Sequence, residues 1–310
     1  MENKKAEFGF IWIFAILAGV AILLFMIYGA TKIIDTSQVI EDTKLAAILS
    51  SNLDLLEAGS AQSIQATIRL NKPTNLSIGC FEVGYGDNRI QVSSGKSGSN
   101  EWSTGEEIVV SDKYIFSDRT EASKVLEINS RPFSYPYKIA DLIFITSTSY
   151  CFVNTPSEIM SLYSSLKGIS FDNCTRDQTS VCFGAYGCNI SVEGLCTGLA
   201  CNSEYDYGTV RKDGRSIPYA DSLLLAAIIS DSQTYECNVK RLMFRGGKIA
   251  EILLAKSQIT RARGCNTALD SYLELLALSF PNYDSSDFLS NTESILEIDR
   301  LNNQEVCGLW

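Results

Sequence analysis

The chain contains no histidine. That absence excludes the Ser-His-Asp and Cys-His constellations, zinc sites that use imidazole, and the two-His iron triad. There is also no C-x-x-C, no Walker loop and no G-x-G-x-x-G, which argues against thioredoxin-type redox pairs, zinc ribbons and nucleotide cradles. Gly184, Gly187, Gly194 and Gly198 sit among cysteines rather than after a strand that opens a helix, so they read as turn residues. No catalytic residue, metal or cofactor is expected. Positive charge is scarce as well: 26 Lys and Arg stand against 36 Asp and Glu, a formal charge of −10. Such a chain repels nucleic acid, and no nucleic-acid partner is expected.

One hydrophobic run is long. No charged residue occurs from position 8 to position 31. As a helix, residues 8–30 would extend roughly 35 Å, enough to cross a bilayer, so the lipid bilayer is the first expected partner. Trp12 and Tyr28 lie near its ends, where amphipathic rings favour the headgroup layer. The run is too long for the apolar core of a cleaved signal and passes straight into a further helical pattern, which predicts a retained anchor. Ala15 and Gly19 form a small-xxx-small pair. Such a pair would allow self-association of two helices, though small residues are ordinary in apolar helices. Lys4 and Lys5 favour a cytoplasmic N-terminus, but Lys32 and Lys44 weaken that bias.

All ten cysteines follow this run: Cys80, Cys151, Cys174, Cys182, Cys188, Cys196, Cys201, Cys237, Cys265 and Cys307. An even number beyond a membrane anchor reads as disulfides in an oxidising compartment. The head is therefore expected outside the cytoplasm, on a single-pass protein of the cell membrane. Cys80 is expected to pair with Cys151, and pairs within 174–201 to be local. Three N-x-S/T sequons, at Asn75, Asn173 and Asn189, agree with that side.

The expected fold class is α+β. Residues 1–7 form a cytoplasmic tail, 8–30 the transmembrane helix and 31–58 a helical stalk continuous with it. Residues 59–152 form a mainly β region, 153–216 a Cys-rich α/β region, and 217–310 a helical region. In the stalk Leu45, Ile48, Leu49, Leu53 and Leu56 share a face, with Asp42, Lys44 and Asp54 elsewhere and Gly59 as C-terminal cap. The alternation of Ile64, Ala66, Ile68 and Leu70 predicts a strand. LSIGCFEVG, RIQVSSG, EEIVVS, KVLEIN and LIFITSTSYCFV predict others, around a mobile polar loop, SSGKSGSNEWSTG. Thr155, Pro156 and Glu158 predict a helix start capped by Thr155, with the run GISF as a strand after it. The stretch 174–201 has too little apolar material for a core of its own, so cross-links should fix it. Lys-Asp-Gly at 212–214 predicts a hairpin, and 222–280 a helical stretch, with one more helix near 292–301.

Between Lys240 and Arg263 stand Lys240, Arg241, Arg245, Lys248, Lys256, Arg261 and Arg263 against the single acid Glu251. Lys240, Arg241, Arg245 and Lys248 would form a patch for an anionic partner, or these residues pair with the acidic tail. Glu204 with Asp206, and Asp284 with Asp287, are carboxylate pairs of the kind a glycosidase or a calcium site uses. In a chain this acidic they read as solvated surface acids.

The runs KKAEFGFIWIFAILAG, VCFGAYGCNI, EYDYG and YECNVKRLMFR resemble a group of uncharacterised archaeal single-pass membrane proteins with a Cys-rich ectodomain. That resemblance implies an extracytoplasmic head, N-glycosylation and no particular reaction. Lys4, Lys5 and Ala6 before the apolar helix are also similar to the processing site of archaeal type IV pilin-like precursors. That similarity implies cleavage before the helix and assembly through it with an envelope protein partner. Phe10 stands where such precursors carry glutamate five positions after the cut, and Phe8 where they carry a small or aliphatic residue. The head also exceeds a typical major pilin's, so the similarity points to an accessory subunit. The resulting expectation is a non-enzymatic membrane-anchored surface protein. The alternative is a pilin-like accessory subunit of an envelope filament or secretion machine, and less favoured is an exported carboxylate-based hydrolase.

Overall fold

The structure is a computed structural model that describes residues 4–57, 64–95, 102–118, 123–184, 187–197, 201–265, 267–305 and 308–310. The expected cap at Gly59 and the tenth cysteine, Cys307, lie outside those residues.

A single helix, α1 (Lys4–Glu57), runs for 54 residues, about 81 Å at the α-helical rise. Its stretch Trp12–Ala30 is long and apolar enough to span a membrane, and none of it is buried against the head. Past the apolar stretch, one face changes role. Ala46, Leu49 and Leu53 are fully buried on Leu76, Ile90, Val92, Leu126 and Ile128 of a sheet. Spacings of three and four keep the three on one narrow arc of the helix. Ile48 lies about 100° from Leu49 around the axis, outside that arc, and is 55% exposed rather than buried. Asp42 departs from expectation in the other direction. It is buried, and one carboxylate oxygen accepts from Ser94 Oγ at 2.7 Å. Next to it Thr43 Oγ1 accepts from the backbone N–H of Glu106 at 2.9 Å. A Cβ on Gly105 would stand 2.7 Å from the Thr43 nitrogen, so only glycine allows this close approach.

The sheet beneath α1 comprises β1 (Ile64–Phe81), β2 (Asp87–Gly95), β3 (Trp102–Thr104), β4 (Ile108–Ser111), β5 (Tyr114–Ser117), β6 (Ser123–Ser134) and β7 (Lys138–Thr146). Its order is β3-β2-β1-β6-β7-β5, with β4 also on β2. All pairs are antiparallel except β5 with β7. The alternating run at 64–70 and LSIGCFEVG prove to be parts of one 18-residue strand. The two ends of the predicted polar loop, Ser93–Gly95 and Trp102–Thr104, pair as strands.

The run LIFITSTSYCFV does not form one strand. It breaks at 147–149, and its second half, β8 (Tyr150–Val153), opens a second sheet. That sheet adds β9 (Ile169–Phe171), β10 (Thr179–Phe183), β11 (Ile190–Gly194), β12 (Tyr207–Lys212) and β13 (Arg215–Ala220), in the order β13-β12-β11-β10-β8-β9. Helix α2 (Ser157–Tyr163) links β8 to the parallel β9, giving the expected strand–helix–strand unit. Its start is one residue later than expected: Pro156 is the cap residue, and no side-chain hydrogen bond caps the helix. The segment 174–201 is not held by cross-links alone. It supplies β10 and β11, whose Val181, Phe183 and Val192 enter the main core. The β12–β13 hairpin turns on Asp213 (φ 50°) and Gly214 (φ 71°) as predicted, both left-handed as this two-residue turn requires.

Four helices cover the sheets. The all-apolar α3 (Leu223–Ile229) is wholly buried. The 30-residue α4 (Ser232–Arg261) is capped by Asp231, which accepts from the Gln233 and Thr234 N–H groups. Then come α5 (Asp270–Ser279) and α6 (Asp287–Gln304), the last starting five residues earlier than expected. Gly246 and Gly247 let α4 meet the turn after α5, because Cβ atoms there would sit 2.9 Å from Phe280 and 2.8 Å from Pro281.

The disulfides correct the expected connectivity. Cys80 joins Cys237, and Cys151 joins Cys174. Cys80 ends a strand of the first sheet and Cys151 lies in the second, so they have different neighbours. Cys182–Cys188 and Cys196–Cys201 are local, as expected, and Cys265 is also disulfide-bonded.

Two outcomes test this architecture. Leu49→Ala or Leu53→Ala empties a fully buried site and should cost about 3 kcal/mol, read as a lowered urea midpoint. An unchanged midpoint would show that α1 does not pack on the sheet. The second concerns Tyr135, Tyr137, Tyr150, Tyr163, Tyr219 and Tyr235, whose ionisation burial pushes well above the ordinary 10.0. Raised folded values mean that the folded state holds more protons than the unfolded one above pH 10.0, so stability is present below that pH and drains above it. Their tyrosinate absorbance should therefore rise in one step with loss of tertiary circular dichroism. Smooth titration of all tyrosines in a folded protein would contradict it.

Candidate interaction surfaces of the head

The basic stretch on α4 divides into two unlike groups. Arg241 is fully buried and cannot meet a partner. Its Nε donates to the Tyr85 carbonyl at 2.8 Å, one terminal nitrogen to Asn88 Oδ1 and Asn238 Oδ1 at 2.8 Å each, and the other to the Lys113 carbonyl at 2.9 Å. Its guanidinium carbon lies 4.9 Å from the centre of the Tyr114 ring. Neutral oxygens rather than a carboxylate thus hold the charge, and burial lowers its pKa. Arg245, half-buried on the next turn, hydrogen-bonds the Tyr114 hydroxyl. The exposed members pair with acids near them. Lys240 lies 3.4 Å from Glu82 and Lys248 2.7 Å from Glu251, while Arg261 pairs with Asp270. Lys256 donates to the Leu309 carbonyl at 2.6 Å. The partners are thus mostly not the acidic tail, and the patch keeps Lys240 and Lys248 as its solvent-facing cations.

Neither carboxylate pair forms a convergent site. Asp206 Oδ2 accepts from the N–H groups of Asn202 and Ser203 at 2.6 and 3.1 Å. Asp287 Oδ2 accepts from the Asp284 N–H at 2.8 Å. Asp284 accepts from Ser286, and these bonds lower its pKa. These acids shape local turns, which the spacing of acids alone does not reveal. Among the described residues, no group of three or more Cys, Asp and Glu could hold a metal.

The three sequons differ. Asn173 and Asn189 are exposed, just outside the strands. Asn75 lies inside β1 opposite Ser93, with its side-chain oxygen buried.

The feature missed in sequence is a cleft of about 550 Å³ where the second sheet meets the link between α3 and α4. Asp118, Asn189, Lys212, Asp213, Arg215, Asp231 and Gln233 line it above Ile190, Ile217, Ile228 and Ile229. Lys212 Nζ donates to the Ile228 carbonyl at 2.8 Å and to that of Ser230, closing the C-terminal end of α3 with a cation. Burial lowers its pKa to about 8, against the raising influence of Asp213 and Asp231. Asp118 accepts from the Thr148 N–H at 3.0 Å. The cleft draws on residues more than a hundred positions apart, so no local pattern announces it. The chain matches no family model, no curated protein and no solved structure in the comparisons made.

Arg241→Leu should cost about 3 kcal/mol, because it removes the charged donors that two asparagine oxygens and two carbonyls share in the core. Lys240→Ala and Lys248→Ala should each leave the denaturant midpoint essentially unchanged, because exposed ion pairs are screened by water. Equal effects in denaturant titrations would refute the division of the patch.

Proposed function

We propose that the chain is a membrane-anchored protein of the cell envelope. Its N-terminus is cytoplasmic, its disulfide-stabilised head is extracytoplasmic, and its role is structural or interactive rather than catalytic. The observation that carries this reading is continuity: the exposed apolar stretch and the segment packed on the head are one helix. The head so held contains disulfide-bonded cysteines, which persist in oxidising compartments. A pilin-like accessory subunit is the second reading. In its favour, the outer half of α1 lies as a spine along a largely antiparallel sheet, and Lys4, Lys5 and Ala6 precede the helix. The hydrolase reading loses its candidate acids to local turns.

Protease added to intact cells should digest the head. Occupied glycans, where the host adds them, should appear on Asn173 and Asn189 but not on Asn75, because it lies half-buried within β1, paired with Ser93. A protected head, or a glycan on Asn75 alone, would overturn the assignment of side or of sites. Mass spectrometry of the mature N-terminus separates the two readings: a start near Ala6 supports the pilin-like subunit, and an intact Met1 or Glu2 ends it.

A further inference from the structure

We propose that the cleft beside the first turn of α4 binds an uncharged oligosaccharide. Its volume of about 550 Å³ falls in the range of small-molecule sites. A second groove of about 400 Å³ adjoins it and shares Arg215, Ile217, Ser232 and Gln233. Together they suit an extended ligand better than a compact one.

The chemistry of the walls excludes other classes. An anion would seek the N-terminus of α4, but the Asp231 carboxylate already takes the Gln233 and Thr234 N–H groups at 2.9 and 3.0 Å. Asp118, Asp213 and Asp231 also outnumber Lys212 and Arg215, so the site disfavours net negative charge. No metal-binding cluster exists among the described residues. An apolar ligand would find little to touch, because Ile190, Ile217, Ile228 and Ile229 are each at most 6% exposed.

What faces solvent is polar and flat: the amides of Asn189 and Gln233, the carboxylate of Asp213 and the guanidinium of Arg215. Planar groups of this kind present two hydrogen-bonding atoms side by side, as the vicinal hydroxyls of a sugar require. Among the described residues, the Asn189 amide nitrogen, the Gln233 side chain and the Asp213 carboxylate have no hydrogen-bond partner. The Arg215 guanidinium donates to Ser232 Oγ.

The rim is held in place before any ligand arrives. Asp213 sits in a left-handed turn, Gln233 in the first turn of a capped helix, and Asn189 beside the Cys182–Cys188 bridge with its oxygen accepting from Ser180 Oγ at 2.8 Å. Fixed polar groups cost little ordering on binding.

The test uses the full chain in lipid nanodiscs, made in a host that adds no N-glycans, with neutral gluco-, manno- and chito-oligosaccharides as probes. Saturation-transfer NMR and calorimetry should show binding of at least one. Arg215→Ala and Gln233→Ala should each weaken it about tenfold, and Arg300→Ala, on the exposed face of α6 where it pairs with Glu297, should leave it unchanged. Gln233→Ala removes an exposed side chain, so loss of fold cannot account for its effect. Three results would overturn the proposal: no binding by any probe at millimolar concentration, binding indifferent to both cleft variants, or a sulfated sugar held more tightly than its neutral parent. The proposal stands whichever side of the bilayer holds the head, so a head protected from protease would leave it intact.

Discussion

The head depends on one joint, where α4 is fastened to the first sheet. Arg241 reaches from the helix into the sheet and gathers the β1–β2 turn, β2 and the residue before β5 around one guanidinium. Beside it Cys80–Cys237 makes the same connection covalently across 157 positions of sequence. In the chain-entropy account a closure of that length is worth about 5 kcal/mol, against about 2 for the short bridges in the second sheet. The hydrogen bonds fix the angle of approach, and the covalent link limits how far the unfolded chain can stray. Both are needed because the neighbouring elements are distant in sequence and the contact is partly polar.

From that joint the geometry propagates in two directions. On one side, the sheet presents Leu76, Ile90 and Val92 to α1. On the other, α4 delivers Asp231, Ser232 and Gln233 to the edge of the second sheet. The long helix α1 and the cleft are thus connected through packed elements, with an aromatic core of Tyr135, Phe280 and Phe288 between sheets and helices. That core contains many tyrosines, which fill volume as phenylalanine does, and some of them tie their hydroxyls to the surroundings. Tyr137 donates to the Gly246 carbonyl and Tyr235 to that of Pro218.

The elements with a strong local signature were legible from the residues alone. The apolar run, its helical continuation, the Lys-Asp-Gly hairpin and the strand–helix–strand unit all depend on contacts within a few positions, and all are present. Failures came where a distant neighbour decides the outcome. Asp42 looks like a solvent residue until Ser94 is brought against it. Arg241 has the sequence context of a surface cation, and only the β1–β2 turn folded over it makes it interior. The continuous pattern of LIFITSTSYCFV hides a change of sheet, because apolar alternation reads the same in either. The partners of Cys80 and Cys151 carry no local sequence signal, unlike the short-range pairs of 174–201, and β10 and β11 were obscured by the cysteines around them.

An unbroken α1 has a mechanical consequence. One continuous helix joins the apolar stretch to the sheet, so on the proposed anchoring a bilayer and the head would share one rod. From Ala30 to Leu53 the axis runs about 34 Å, so a lean of about 20° would carry the point of attachment sideways by about 12 Å. On that reading a load on the far end of the head would be felt as torque within the lipid, and thinning of the lipid would steer the whole head.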